Sequence, residues 1–155
     1  MELASSLTTG VIGLLGILIG VRVQERSTAR RERLAQQTQQ RAELRAVIVT
    51  LLSRLAAMRR LQNARSVLRE ADVSETEQDA AKTAALEART LAGEALTELQ
   101  LLTDDPHVLA LADRIVDVTF TLHEAADRAD RDRRGHLARA AHNTFIAAAG
   151  RLVRA

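Results

Sequence analysis

The chain has 155 residues, 22 basic against 20 acidic groups and a net charge of +2. That length suffices for one small domain beside any membrane segment, and the absence of cysteine excludes disulfides, thiolate metal sites and thiol catalysis. Trp and Tyr are absent as well and Phe120 and Phe145 are the only aromatics, so the chain has no platforms on which bases could stack.

From Leu3 to Val21 no residue is charged, and Arg22, Arg26, Arg30, Arg31 and Arg33 follow directly. Ten of those nineteen residues are Leu, Ile or Val, each favouring insertion by roughly 0.3 to 0.6 kcal/mol, and about 20 residues cross a bilayer core. The pattern predicts a transmembrane anchor over residues 1–24. A cleaved signal peptide carries its positive charges before the apolar run, whereas here Glu2 precedes it and the arginines follow. The arginine collar sets a single-pass orientation in the inner (plasma) membrane, with the N-terminus outside and the rest of the chain cytoplasmic. The competing reading is a buried helix of a soluble domain, to which Ser5, Ser6, Thr8 and Thr9 are suited.

Small residues recur along the anchor at spacings of three and four. Gly13, Gly16 and Gly20 fall on one face, with Gly16 and Gly20 forming a GxxxG pair, so close backbone approach and a homo-oligomer are expected there. Arg22, Arg26 and Arg30 repeat every fourth residue, a spacing suited to the anionic head groups of membrane lipids.

Residues 25–40 are polar almost all round, with Gln36, Gln37, Gln39 and Gln40 clustered, and predict a solvated juxtamembrane helix or a connector. Residues 41–155 predict a cytoplasmic helical bundle. Its first helix carries Leu44, Val47, Ile48, Leu51, Leu55, Met58, Leu61 and Leu68 on one face. Ser74 and Glu77 stand three apart as a capping box, opening a second helix whose expected inward face is Ala81, Ala84, Ala88, Leu91, Ala95, Leu99 and Leu102. Asp104, Asp105 and Pro106 end it and start a third, since proline at the first helical position lacks only an N–H that has no partner there anyway. Val108, Leu111, Ile115, Val118, Leu122 and Ala125 form its coiled-coil-like seam. Leu137, Ala141, Phe145, Ala148 and Leu152 mark a fourth face, with Gly135 either a break or an interior residue. The fold class is therefore all-α, an N-terminal transmembrane helix followed by an antiparallel bundle of three to four helices.

Charge is polarised along the chain: residues 22–69 hold twelve arginines against three glutamates, and residues 70–105 ten acids against Lys82 and Arg89. Arg41, Arg45, Arg54, Arg59, Arg60, Arg65 and Arg69 extend positive charge beyond the collar, which makes nucleic-acid phosphate a rival partner. The acidic second helix is placed to neutralise them. His107, His123, His136 and His142 include no pair three or four apart, so they offer no metal site, and neither a GxSxG elbow nor a phosphate-binding glycine loop occurs. No catalytic residue or cofactor is expected.

The segment GVIGLLGILIGVRVQERSTARRER, the alanine- and arginine-rich helical region and the closing AAHNTFIAAAGRLVRA together resemble KilB-like proteins of actinomycete conjugative plasmids. The resemblance implies a part in plasmid transfer and spread and carries no catalytic residues. The expected function is a non-enzymatic membrane scaffold that binds a cytoplasmic protein. The alternatives are a membrane-tethered nucleic-acid-binding protein and a phage-type membrane-disrupting protein.

Overall fold

The computed structural model describes the backbone of residues 3–71 and 73–154 and the side chains from Arg30 onward. Among the described residues the order is α1 (Leu3–Glu70), α2 (Glu75–Leu102), α3 (Pro106–Phe120), a 3-10 turn (Thr121–Glu124) and α4 (Arg128–Arg154). The all-α expectation holds. Contacts divide the chain into two units, residues 1–41 and residues 42–155.

In the first unit, the stretch from Arg30 to Arg41 is helical with every side chain exposed, which its polar perimeter requires. The expected anchor, together with Gly13, Gly16, Gly20, Arg22 and Arg26, lies outside the residues whose side chains are described. Among the described residues no helix is long and apolar enough to cross a membrane.

The second unit buries one core. Ile48, Leu51, Leu55 and Met58 of α1 meet Ala88, Ala92, Ala95 and Leu99 of α2, Val108, Ala112 and Ile115 of α3, and Phe145, Ala148 and Ala149 of α4. The pairing of Glu70 with Arg131 and the closeness of Arg59 to His142 show that α1 and α4 run antiparallel.

The helix boundaries follow from their caps. Ser74 Oγ accepts from Glu77 N at 3.4 Å while Ser74 N donates to Glu77 Oε2 at 3.2 Å, the expected capping box. Asp105 Oδ1 accepts from His107 N at 2.9 Å and Val108 N at 3.1 Å, with Pro106 at the first position of α3.

Several inward positions differ from the expected faces. On α2 the buried residues are Ala85, Ala88, Ala92, Ala95 and Leu99, whereas Leu91 and Leu102 are exposed and Ala84 is half-buried. The true seam alternates steps of four and three, and it selects Ala92 beside Leu91 because alanine allows the neighbouring helices to come close. On α3 the seam is Val108, Ala112, Ile115 and Thr119, which leaves Leu111 and Val118 half-buried. On α4 Ala138 is buried and Leu137 is 60% exposed.

Of the two readings open for Gly135, the interior one holds. α4 passes unbroken through Gly135, and the chain turns at residues 121–127 instead. Side chains take up the carbonyls released there: Thr121 Oγ1 donates to Val118 O at 3.2 Å, His123 Nδ1 to Phe120 O at 2.7 Å, and Arg134 Nη1 to Thr121 O at 3.0 Å. Arg69 donates to Ala125 O. Asp127 then opens α4, its Oδ1 accepting from Asp130 N at 2.7 Å. Glycine alone does not end a helix whose hydrogen bonds continue, whereas this set of partners makes a turn cheap.

Below Met58 the inner face of α1 becomes polar: Gln62 and Ser66 are fully buried, and Gln62 Nε2, Gln62 Oε1 and Ser66 Oγ have no hydrogen-bond partner. A buried polar atom without a partner costs about 1–3 kcal/mol. The double variant Gln62→Leu/Ser66→Ala is therefore expected to raise the urea midpoint of unfolding, with a gain of about 1–3 kcal/mol per site removed. An unchanged or lower midpoint at constant m-value would contradict this.

Candidate functional site

The last four turns of α1 carry Arg59, Arg60, Arg65 and Arg69 around the buried Gln62 and Ser66. Helical geometry puts Arg59, Arg60 and Asn63 on one flank of that buried stripe and Arg65 and Arg69 on the other. Each flank meets a different neighbour, so the single row of arginines in the sequence becomes two clefts.

Toward α2, Arg65 and Arg69 line a cleft of about 130 Å³ with Gln78, Asp79, Lys82 and His123. Its cations are partly answered by Asp79, and Arg69 is committed to Ala125 O. His123 stacks edge-on against Phe120 with ring centroids 5.1 Å apart, and the guanidinium of Arg89 lies 3.7 Å over the opposite partner of that pair, the Phe120 ring centroid. This cleft is tied into the turn.

Toward α4, Arg59, Arg60 and Asn63 line a shallow cleft of about 250 Å³ with Leu122, Gly135 and Arg139. Three arginines line it, and among the described residues no acid does. Around the turn Arg131 pairs with Glu70, Arg133 with Asp130, and Arg134 with Glu124 and Asp130. No acid of α2 is among these partners, and the α2 acid placed beside α1 arginines is Asp79, in the cleft of Arg65 and Arg69. The local field is felt by His142, whose imidazole is held below its usual range by burial and then by the charge of Arg59.

A third cleft, of about 260 Å³, lies where the turn meets α4 and holds Arg133 and Arg134 together with Asp130. Here the charges compensate. Asp130 accepts from Ala126 N at 3.1 Å, from Arg133 at 2.9 Å and from Arg134 at 3.0 Å, and these bonds hold its carboxyl at about 2. The Glu70 partnership raises the pKa of Arg131. This cluster is part of what holds the turn and α4 together.

Of the other residues singled out in the sequence, Arg30, Arg45 and Arg54 are exposed, and so are His107 and His136. Among the described residues no three His, Cys, Asp or Glu side chains gather as a metal site would require. Arg139 and Gly135 were not legible as members of a site, because they reach Arg59 only through the pairing of α1 with α4.

The profile of the KilB plasmid transfer protein family matches residues 45–153, which takes in all four bundle helices and both arginine-lined flanks of α1. The chain belongs to this family. No curated protein and no solved structure matches it. The KilB match begins at the helical bundle, downstream of the apolar N-terminal segment.

Asp130 gives the cluster a pH signature. Its carboxyl sits at about 2 in the folded chain against an ordinary 3.8, so between these values the unfolded chain binds the proton that the folded chain refuses. Its contribution is present above about pH 4 and is lost as the pH falls toward about 2. Asp130→Asn is expected to lower the unfolding midpoint at neutral pH and to shrink its decline across that acid window, read from urea titrations at several pH values. Parallel acid limbs for the two proteins would refute the assignment.

Proposed function

We propose that this KilB family member is a non-enzymatic, single-pass membrane scaffold whose bundle engages a protein partner on the cytoplasmic side during plasmid transfer. The carrying observation is the charge-free run from Leu3 to Val21 closed by Arg22, Arg26 and Arg30, placed ahead of the bundle that the KilB profile covers. In this reading Gly13, Gly16 and Gly20 bring two anchors together, and the three arginines hold lipid head groups. The large apolar side chains left at the surface support a protein partner for the bundle: Leu101 is 81% exposed and Leu137 60%.

The absence of native cysteine makes topology directly testable with single cysteines at Ser5 and Ser74. The full-length protein is expected to resist alkaline extraction from membranes, with the Ser5 site labelled from outside and the Ser74 site protected. Release into the alkaline supernatant would end the anchor reading and everything resting on it. Replacing Gly16 and Gly20 by leucine is expected to reduce the cross-linked oligomer in the same membranes, and an unaltered ladder would remove the glycine face from the proposal.

A further inference from the structure

The cleft between α1 and α4 differs from the other two in having cations without an answering acid. Arg59, Arg60 and Arg139 line it and Asn63 adds an amide, while the neighbouring clefts contain Asp79 or Asp130. Guanidinium groups left uncompensated on a concave, solvent-open surface are matched to phosphate oxygens, which their planar fork binds in pairs. Arg60 and Arg139 are exposed, so binding needs no rearrangement of the core, and Arg59 is half-buried beside them.

The rest of this flank continues the charge. Arg45 lies fourteen residues before Arg59 and so on nearly the same side of α1, four turns away. The antiparallel register that sets Glu70 against Arg131 and Arg59 against His142 carries Arg45 toward the last turns of α4, where Arg151 and Arg154 stand. An elongated row of cations suits a ligand with regularly spaced phosphates better than a single small anion.

The geometry points to this α1–α4 cleft as a phosphodiester-backbone site, with double-stranded nucleic acid as its ligand and Arg59, Arg60 and Arg139 as its centre. Binding is independent of sequence. Phe145 is fully buried and Phe120 is covered by Arg89, so the described surface has no open phenylalanine, tyrosine or tryptophan face on which to hold an unstacked base. Because the site belongs to the bundle, it stands apart from the scaffold proposal and does not depend on how the N-terminal segment meets a membrane.

The test is fluorescence anisotropy of a short labelled duplex with the full-length protein in neutral detergent, over a salt series. The affinity is expected to fall linearly with salt on logarithmic axes. The double variant Arg60→Ala/Arg139→Ala is expected to bind at least about tenfold more weakly at about 100 mM salt and to lower the slope by about 2. The equally charged control Arg114→Ala/Arg128→Ala, on exposed positions of α3 and α4, is expected to leave both nearly unchanged. Asn63→Glu, which puts a carboxylate into the cleft at an exposed position, is expected to abolish binding and guards against misfolding of the double variant. Absence of salt-sensitive binding overturns the proposal, as does an equal loss in the control. Binding of anionic phosphatidylglycerol vesicles through the same residues, with none to the duplex, also overturns it in favour of a lipid head-group site.

Discussion

How near α2 comes to the other helices is set by alanine, and the packing of the bundle depends on that distance. At Ala85, Ala88, Ala92 and Ala95 the inward side chain is a single methyl, so little stands between the α2 backbone and the side chains opposite it. The bulk of the core is supplied from the other side, by Leu51, Leu55 and Met58 of α1, Ile115 of α3 and Phe145 of α4. Large and small positions are thereby complementary, as dense packing demands. A leucine at Ala92, fully buried, has no space to occupy without moving those neighbours.

Local chemistry was legible in the sequence because it acts over three or four residues. The Ser74–Glu77 box and the Asp105–Pro106 start need no partner from elsewhere in the chain, and both stand where their spacing put them. The inward faces were legible only to within one position. Hydrophobicity favours Leu91 over Ala92 and Leu137 over Ala138, but a close helix approach favours the smaller residue, and that preference is set by the neighbouring helix. The turn at residues 121–127 was hidden for the same reason: Arg69 and Arg134, which take up its carbonyls, come from two different helices.

The arginines show the same division. Their abundance and their position along α1 are plain in the sequence, yet which of them remain uncompensated is decided by the fold. Arg131 and Arg134 are drawn into carboxylate partnerships around the turn, and Arg69 into a backbone carbonyl. Arg59 and Arg60 are left to share a surface with Arg139. Between α1 and α2 the answering acid is Asp79, which lines the cleft of Arg65 and Arg69, while the facing cores of the two helices are alanine and leucine and the other described acids of α2 are exposed.

The alanine seam also bears on how this protein responds to temperature. A methyl removes less apolar surface from water than the leucine or isoleucine usual at such positions, so unfolding exposes less of it. The heat-capacity increment that curves a stability profile scales with that exposure. A bundle built this way has a flatter profile than a leucine-cored bundle of equal length, and its folding free energy changes less between cold and warm conditions.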